Sequence, residues 1–328
     1  VYGIEIHDIL ARICKINLLL HHDGHTNIEG DKSCLDTEFT KERLKLGKEN
    51  FNVVVGNPPF GDTIKEGDED QLGKSSLEDF EVSAGRSQIP SEHIIVEKSI
   101  KMLKDDGLLG LVLPDGVFNN QGELSNCPLL RNYLVKQGRV LAVVSLPDYA
   151  FRKSGAQNKT SILFFKKFNY DQRTAFENAY DAQIANGASD EQAIIAALSA
   201  NPYRVFMAEA NFIGYSSTGA LMEKNDLYRG SAGGHLDDDQ SETILGEYRR
   251  FCVDPENYIP ALNDCIGLDI CSVWNAHESH RLDPKYHLFK VQEEQTLPEG
   301  WVSKKLSELM QRREEIVRPQ ETPEALSL

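Results

Sequence analysis

Asn57-Pro58-Pro59-Phe60 is the stretch whose residue types could do chemistry together. It follows the apolar run Phe51 to Val55 and a single Gly56, the composition of a buried strand ending in a sharp turn. Two successive prolines fix two φ angles and remove two amide donors, so the Asn57 carboxamide and the Pro58 carbonyl project from a rigid turn. Held side by side, a carboxamide oxygen and a backbone carbonyl can accept both hydrogens of one exocyclic amine. The adjacent Phe60 ring offers a face on which a planar base can stack. The chemistry is that of holding an amine and leaving its nitrogen more nucleophilic. Taken alone, the tetrad also suits a proline-stiffened turn after a core strand.

Acidic residues stand at the ends of two earlier strand candidates. Glu5 falls near the end of Val1 to Ile6, where doubly wound nucleotide-binding folds place an acid that bonds a ribose hydroxyl. Asp31 closes Thr26 to Asp31 and could accept from an adenine amine. Each alone suits a solvated loop charge. Together, Glu5, Asp31 and Asn57 would end successive strands on one rim of a sheet, and ligands bind outside the carboxyl ends of such strands. Metal readings are weaker. His21, His22, Asp23 and His25 match no standard spacing, and His277-Glu278-Ser279-His280 is one residue short of H-E-x-x-H. Asp237-Asp238-Asp239 lacks the alternating ligands of a calcium loop, so no metal is assigned.

The elements that must position these residues alternate between strand and helix. After the Val1–Ile6 strand, Asp8 opens a helix with Ile9, Leu10, Ile13 and Leu20 at helical spacing. Gly61 to Ile89 is polar and without periodicity, which predicts a long mobile loop. Pro90-Ser91-Glu92 opens a helix closed by Gly107, and Leu108 to Leu113 reads as a strand. A helix over 129–137, a strand over 140–146 and another over 160–165 follow. This alternation predicts an α/β, doubly wound, mostly parallel sheet with helices on both faces. Beyond Lys167 the pattern changes to a mixed, partly helical extension, with a capping box at Ser189 to Gln192, a strand over 203–208 and a helix over 241–252. The organisation predicted is 1–167, 168–280, and from Arg281 the start of a further unit or a tail.

Composition narrows the function. With 40% hydrophobic and 26% charged residues, the chain reads as an ordinary globular protein, and no window approaches a membrane span. Six cysteines without a C-x-x-C pair fit reduced thiols, hence a cytoplasmic setting. A net charge of −16 argues that any grip on nucleic acid comes mostly from another domain or subunit.

Several stretches in order resemble the gamma-type N6-adenine DNA methyltransferases, and within them the modification subunits of type I restriction systems. They are Gly3-Ile4-Glu5-Ile6 with Leu18-Leu19-Leu20-His21, Asn57-Pro58-Pro59-Phe60, Val112 through Phe118, and Ser145-Leu146-Pro147 through Phe151 to Phe165. The resemblance covers roughly residues 1 to 255. It implies a Rossmann-like class I methyltransferase fold that uses S-adenosylmethionine to methylate adenine N6 in DNA. Asn57 and Pro58 would hold the amine, and Phe60 and Phe151 would stack on a flipped adenine. Glu5 would bind the cofactor's ribose, Ile6 and Asp31 its adenine, and Asn57 would also belong to the cofactor site. Double-stranded DNA, a specificity subunit or target recognition domain, and a restriction subunit are the implied partners. Residues Arg281 to Leu306 resemble the opening of such a recognition domain. The family's first motif, a Gly-rich loop that contacts the methionine part of the cofactor, would lie before Val1, so the catalytic domain is expected to be N-terminally truncated. Two alternatives remain: a catalytically incomplete scaffold or interaction subunit, and a ribosomal RNA guanine methyltransferase. Residues 1–328 alone are expected to bind S-adenosylmethionine weakly or not at all. Tight binding by calorimetry would show the first motif to be misplaced.

Overall fold

The computed structural model describes residues 1–22, 27–43, 51–83, 85–152, 158–231, 235–275, 280–294, 302 and 304. Val1–Leu288 forms one compact unit and Phe289–Leu328 a second. The chain opens with β1 (Gly3–Glu5), α1 (Asp8–Leu20), β2 (Ile28–Gly30), α2 (Thr37–Arg43) and β3 (Phe51–Gly56). Next come β4 (Thr63–Lys65), α3 (Glu69–Leu72), β5 (Gln88–Pro90), α4 (Ser91–Met102) and β6 (Leu103–Pro114). They are followed by α5 (Asp115–Asn119), α6 (Cys127–Gln137), β7 (Gly138–Ser145) and β8 (Thr160–Lys167). Beyond these lie α7 (Tyr170–Ala185), α8 (Asp190–Ala200), β9 (Arg204–Glu209), β10 (Ile213–Tyr215) and β11 (Leu221–Asn225). The last elements are α9 (Ile244–Val253), β12 (Cys265–Asp269), α10 (Ile270–Asn275) and α11 (Pro284–Glu294).

The central sheet has six strands in the order β12-β9-β7-β8-β6-β3. β3–β6 and β7–β9 are parallel, whereas β6–β8, β7–β8 and β9–β12 are antiparallel. The sheet is therefore mixed, which corrects the mostly parallel expectation. The physical reason is β8: it returns directly after β7 and inserts between β7 and β6, antiparallel to both. β9 and β12, from beyond residue 167, complete the same sheet. Alternating side chains serve two cores. Val143, Leu163, Val205 and Met207 meet α4, α6 and α8 on one face. Ala142, Val144, Phe206 and Ala208 meet α9 on the other.

A second correction concerns β1 and β2. They pair in parallel as their own small sheet and make no ladder with β3. Tyr2 sits edge-on to Phe51 with ring centroids 5.5 Å apart, and Gly3 and Ile4 face Val53 to Val55 across an open groove of about 520 Å³. Val53 and Val55 are 56% and 77% exposed, so this apolar strand is not buried on both faces as its composition suggests.

The expected loop over 61–89 is instead built almost throughout. β4 and β5 pair antiparallel, and Leu72, Leu77, Phe80 and Val82 enter the main core. Its polar residues hold its own backbone: Asp68 caps α3, Ser76 and Asp79 form a capping box, and Glu66 accepts from Leu77 N at 2.8 Å. Such residues read as solvent-facing because their partners are local. At its far end the Glu97 carboxylate, fully buried on α4, accepts from Glu81 N at 2.9 Å and Val82 N at 2.8 Å, and Lys101 pairs with it at 2.6 Å. Two further boundaries differ. α4 ends at Met102 rather than Gly107, where Lys167 Nζ donates to the Ile100 and Leu103 carbonyls at 3.1 and 3.0 Å. α7 had no sequence signal beyond its Asn169 capping box, because Phe176 is its one buried residue.

Glu97→Ala leaves two amide donors of the 81–83 turn without their acceptor in the core, so a loss of about 3 kcal/mol is expected. Thermal unfolding should shift down and limited proteolysis should cut first within 61–90. Unchanged stability and protease resistance would contradict this role.

Candidate functional site

β6 and β7 both run antiparallel to β8, β3 runs parallel to β6, and β9 parallel to β7. The carboxyl ends of β3, β6, β7 and β9 therefore share one rim. Asn57 stands at that rim directly after β3, exposed, with Pro58 buried behind it and Phe60 half-buried. The turn is fixed from behind by the start of α4. Ser91 Oγ donates to the Pro59 carbonyl at 3.3 Å, and Ser91 N donates to the Asp62 carbonyl at 2.9 Å. The Gly61 backbone N–H faces the Glu92 carboxyl and favours its charged form, and Gly61, at φ +84°, turns the chain away. Glu92 is 8% exposed, and its Oε2 is a buried oxygen without a hydrogen-bond partner. Burial pushes its carboxyl above the ordinary range, against the pull of its hydrogen bonds. Ser91 and Glu92 are site residues that the sequence reading passed over as a helix opening.

Farther along the rim, Asp115 accepts from Ser161 Oγ at 2.6 Å, and Lys159 pairs with Glu209 at 3.0 Å. The turn after β7 brings Phe151 to the same side. Ala150 N donates to the Pro147 carbonyl and Arg152 N to the Tyr149 carbonyl, and the Phe151 ring is half-buried against the second core. β7 lies three strand positions from β3, about 14 Å at the strand ends, a span that a nucleobase and the two rings would share.

Glu5, Ile6 and Asp31 gather at the end of the β1–β2 pair. Glu5 is in register with Gly30, which puts it beside Asp31, and its Oε1 accepts from His7 N at 2.9 Å. Asp31 is exposed with φ +59°, and with Ile6 and Leu10 it lines a shallow concavity. Tyr2 meets Phe51, and Val1 to Ile4 line one groove with Phe51 and Val53 to Val55, so β1 and β3 flank the same groove from two separate sheets. Lys98 and Cys34 line this groove: burial pulls the Lys98 ammonium down to about 8 and pushes the Cys34 thiol up.

A larger cavity of about 920 Å³ lies past Glu209, where Asp264 is raised by burial and by the Glu209 and Asp226 charges. None of the predicted site residues line it. Among the described residues no group of three or more His, Cys, Asp or Glu is placed to hold a metal ion. His21 caps α1, Asp239 pairs with Arg229 at 3.1 Å, and His280 stacks on Trp274. Asp23, His25, residues 277–279 and the Leu297–Trp301 stretch lie outside the described residues. Among the described residues no helix is long and apolar enough to cross a membrane.

Comparison with known proteins gives this geometry a family. The Type I restriction enzyme MpnII methylase subunit of Mycoplasma pneumoniae is 29% identical over 169 residues, covering 51% of this chain and 30% of that protein. The EcoEI methylase subunit of Escherichia coli is 27% identical over 167 residues, again 51% of this chain and 30% of that protein. The chain thus spans 30% of the length of these curated relatives. Among solved structures, the EcoKI M protein aligns with a TM-score of 0.46 at 15% identity, over 89% of this chain and 56% of that chain. The model of the family described as N-6 DNA Methylase matches residues 1–197, more than half of the sequence, and the chain belongs to that family.

Proposed function

We propose that this chain is the catalytic region of a DNA methyltransferase that moves a methyl group from S-adenosylmethionine to adenine N6 in a restriction-modification system. The observation that carries this reading is the Asn57–Phe60 turn at the carboxyl end of β3, with both candidate acceptors on a backbone fixed from behind by Ser91 and Glu92. Family membership supports the same chemistry.

The target adenine must leave the duplex, because its amine is otherwise paired and out of reach. Asn57 Oδ1 and the Pro58 carbonyl then accept the two amine hydrogens and set the nitrogen lone pair along one direction. Phe60 and Phe151 hold the ring by stacking, worth about 1–3 kcal/mol per base. Glu5, Ile6 and Asp31 fit the adenosine part of the cofactor: carboxylates that can accept from hydroxyls and an amine stand beside the apolar wall of Ile6 and Leu10. When bound, S-adenosylmethionine supplies an electrophilic methyl group. Positioning carries the rest, so no nucleophilic side chain is needed. With a net charge of −16, the chain relies on a specificity subunit or target recognition domain for its hold on DNA, and a restriction subunit completes the assembly.

Asn57→Ala in the full gene product should slow single-turnover methylation by about a hundredfold or more, leaving cofactor affinity nearly intact. Phe60→Ala should be damaging but leakier, and Phe60→Tyr should keep activity because the ring face is retained. A near-normal rate for Asn57→Ala would contradict the mechanism. Glu92→Gln gives a separate, signed test. A carboxyl raised in the folded state binds more protons folded than unfolded, so its contribution to stability falls as pH rises through and above the ordinary value of 4.5. Glutamine keeps an acceptor for Gly61 N–H without the buried charge. Its unfolding temperature should therefore exceed wild type at pH 7, and the gap should close as pH falls below 4.5. A variant less stable at neutral pH would show that Glu92 is charged and favourably held.

A further inference from the structure

The turn that carries Phe151 is tied to residues far along the chain. Tyr215, at the end of β10, donates its phenol hydrogen to the Ala150 carbonyl at 2.7 Å. Tyr149 donates in the opposite sense, to the Asn211 carbonyl at 3.0 Å. The two rings meet edge to face with centroids 6.4 Å apart. Gly214, at φ +82°, gives the backbone the left-handed step that a side chain there would oppose, immediately before Tyr215. Asp226 holds the other end of the same segment, its Oδ2 accepting from Asn211 N at 2.9 Å and Phe212 N at 2.8 Å. Ala150 is buried and Phe151 is half-buried against the second core, so the bond to the Ala150 carbonyl acts on the peptide just before the ring.

We infer that Tyr215 is a positioning residue for the nucleobase: by holding the Ala150 carbonyl it sets the place of the Phe151 ring, and it thereby makes the β10–β11 hairpin part of base capture. The inference rests on the methyltransferase reading above. A peptide carbonyl with a fixed partner restrains the ψ of its own residue, and with it the direction in which the next side chain leaves the chain. Stacking depends on contacts that weaken over a fraction of an ångström, so a small swing of that direction is felt at the base. The hydroxyl of Tyr215 never needs to touch DNA for this role. Its ring packing in the second core survives removal of the hydroxyl, which makes Tyr215→Phe a mild structural change and a severe test of the hydrogen bond.

The test uses the full gene product and a duplex carrying its methylation sequence, mapped by detecting N6-methyladenine in DNA that it has modified. The target adenine is replaced by 2-aminopurine, whose fluorescence rises when the base leaves the stack. Wild type, Tyr215→Phe and Phe151→Ala are compared, together with kcat and KM for the unsubstituted duplex and the affinity for S-adenosylmethionine. Tyr215→Phe is expected to lose most of the fluorescence rise and about tenfold in kcat/KM for DNA, with cofactor affinity unchanged. Wild-type fluorescence and rate for Tyr215→Phe, with Phe151→Ala impaired, would overturn the inference and leave the methyltransferase reading standing. Loss of cofactor affinity in step with base capture would also overturn it, since that pattern belongs to general loosening of the fold. If Phe151→Ala is itself unimpaired, Phe151 does not hold the base and both the stacking assignment and the inference fail.

Discussion

The hydrogen bonds between the first residues of α4 and the Asn57–Gly61 turn are the constraint on which the candidate site depends. Two prolines leave the turn short of amide donors, and α4 engages the remaining polar backbone: the Pro59 carbonyl by Ser91 Oγ and the Asp62 carbonyl by Ser91 N, with the Glu92 carboxyl beside Gly61 N–H. A site that must aim two acceptors at one nitrogen has little tolerance for a turn that breathes. The cost is a carboxyl taken out of water with one oxygen unpartnered. Rigidity then passes inward, because α4 is buried along most of its length. Glu97 binds α4 to the 81–83 turn and Lys167 caps its far end. The helix is a strut between the core and the rim.

Sheet topology supplies the second requirement, that the stacking ring reach the same rim as the amine acceptors. The antiparallel insertion of β8 does this. Because β8 runs back from the rim, the connection preceding it must lie there, and Phe151 is in that connection. A right-handed crossover helix in the same place would have carried the chain to the opposite end of the sheet before the next strand. The departure from a parallel sheet is thus tied to the position of the aromatic turn. The segment beyond residue 167 adds β9 and β12 to the sheet and, through Tyr215 and Tyr149, fastens that turn.

Much of this was legible in the residues and some was not. The apolar run before Gly56, the paired prolines and the Phe60 ring specify a strand, a stop and a stacking face from local chemistry alone, and the structure has β3 ending there. Glu5 and Asp31 were singled out because strand ends in this kind of fold face one side, and the β1–β2 register sets them side by side. That β1 faces β3 across a groove was not readable, since pairing between distant strands leaves no mark in a short apolar run. The 61–89 stretch was misread because its acids and serines bond their own backbone, which composition cannot distinguish from solvation. Glu92 and Tyr215 were missed for a related reason: their importance lies in the groups they meet across the fold, and nothing in their own neighbourhood announces a partner.

The central claim is that this turn grips an exocyclic amine. It is tested most directly by a structure of the full gene product with a non-reactive S-adenosylmethionine analogue and a duplex containing its target adenine. The account predicts an extrahelical adenine whose N6 lies about 3 Å from both Asn57 Oδ1 and the Pro58 carbonyl oxygen. An adenine amine bound away from these two atoms, or a target base still paired in the duplex, would contradict it.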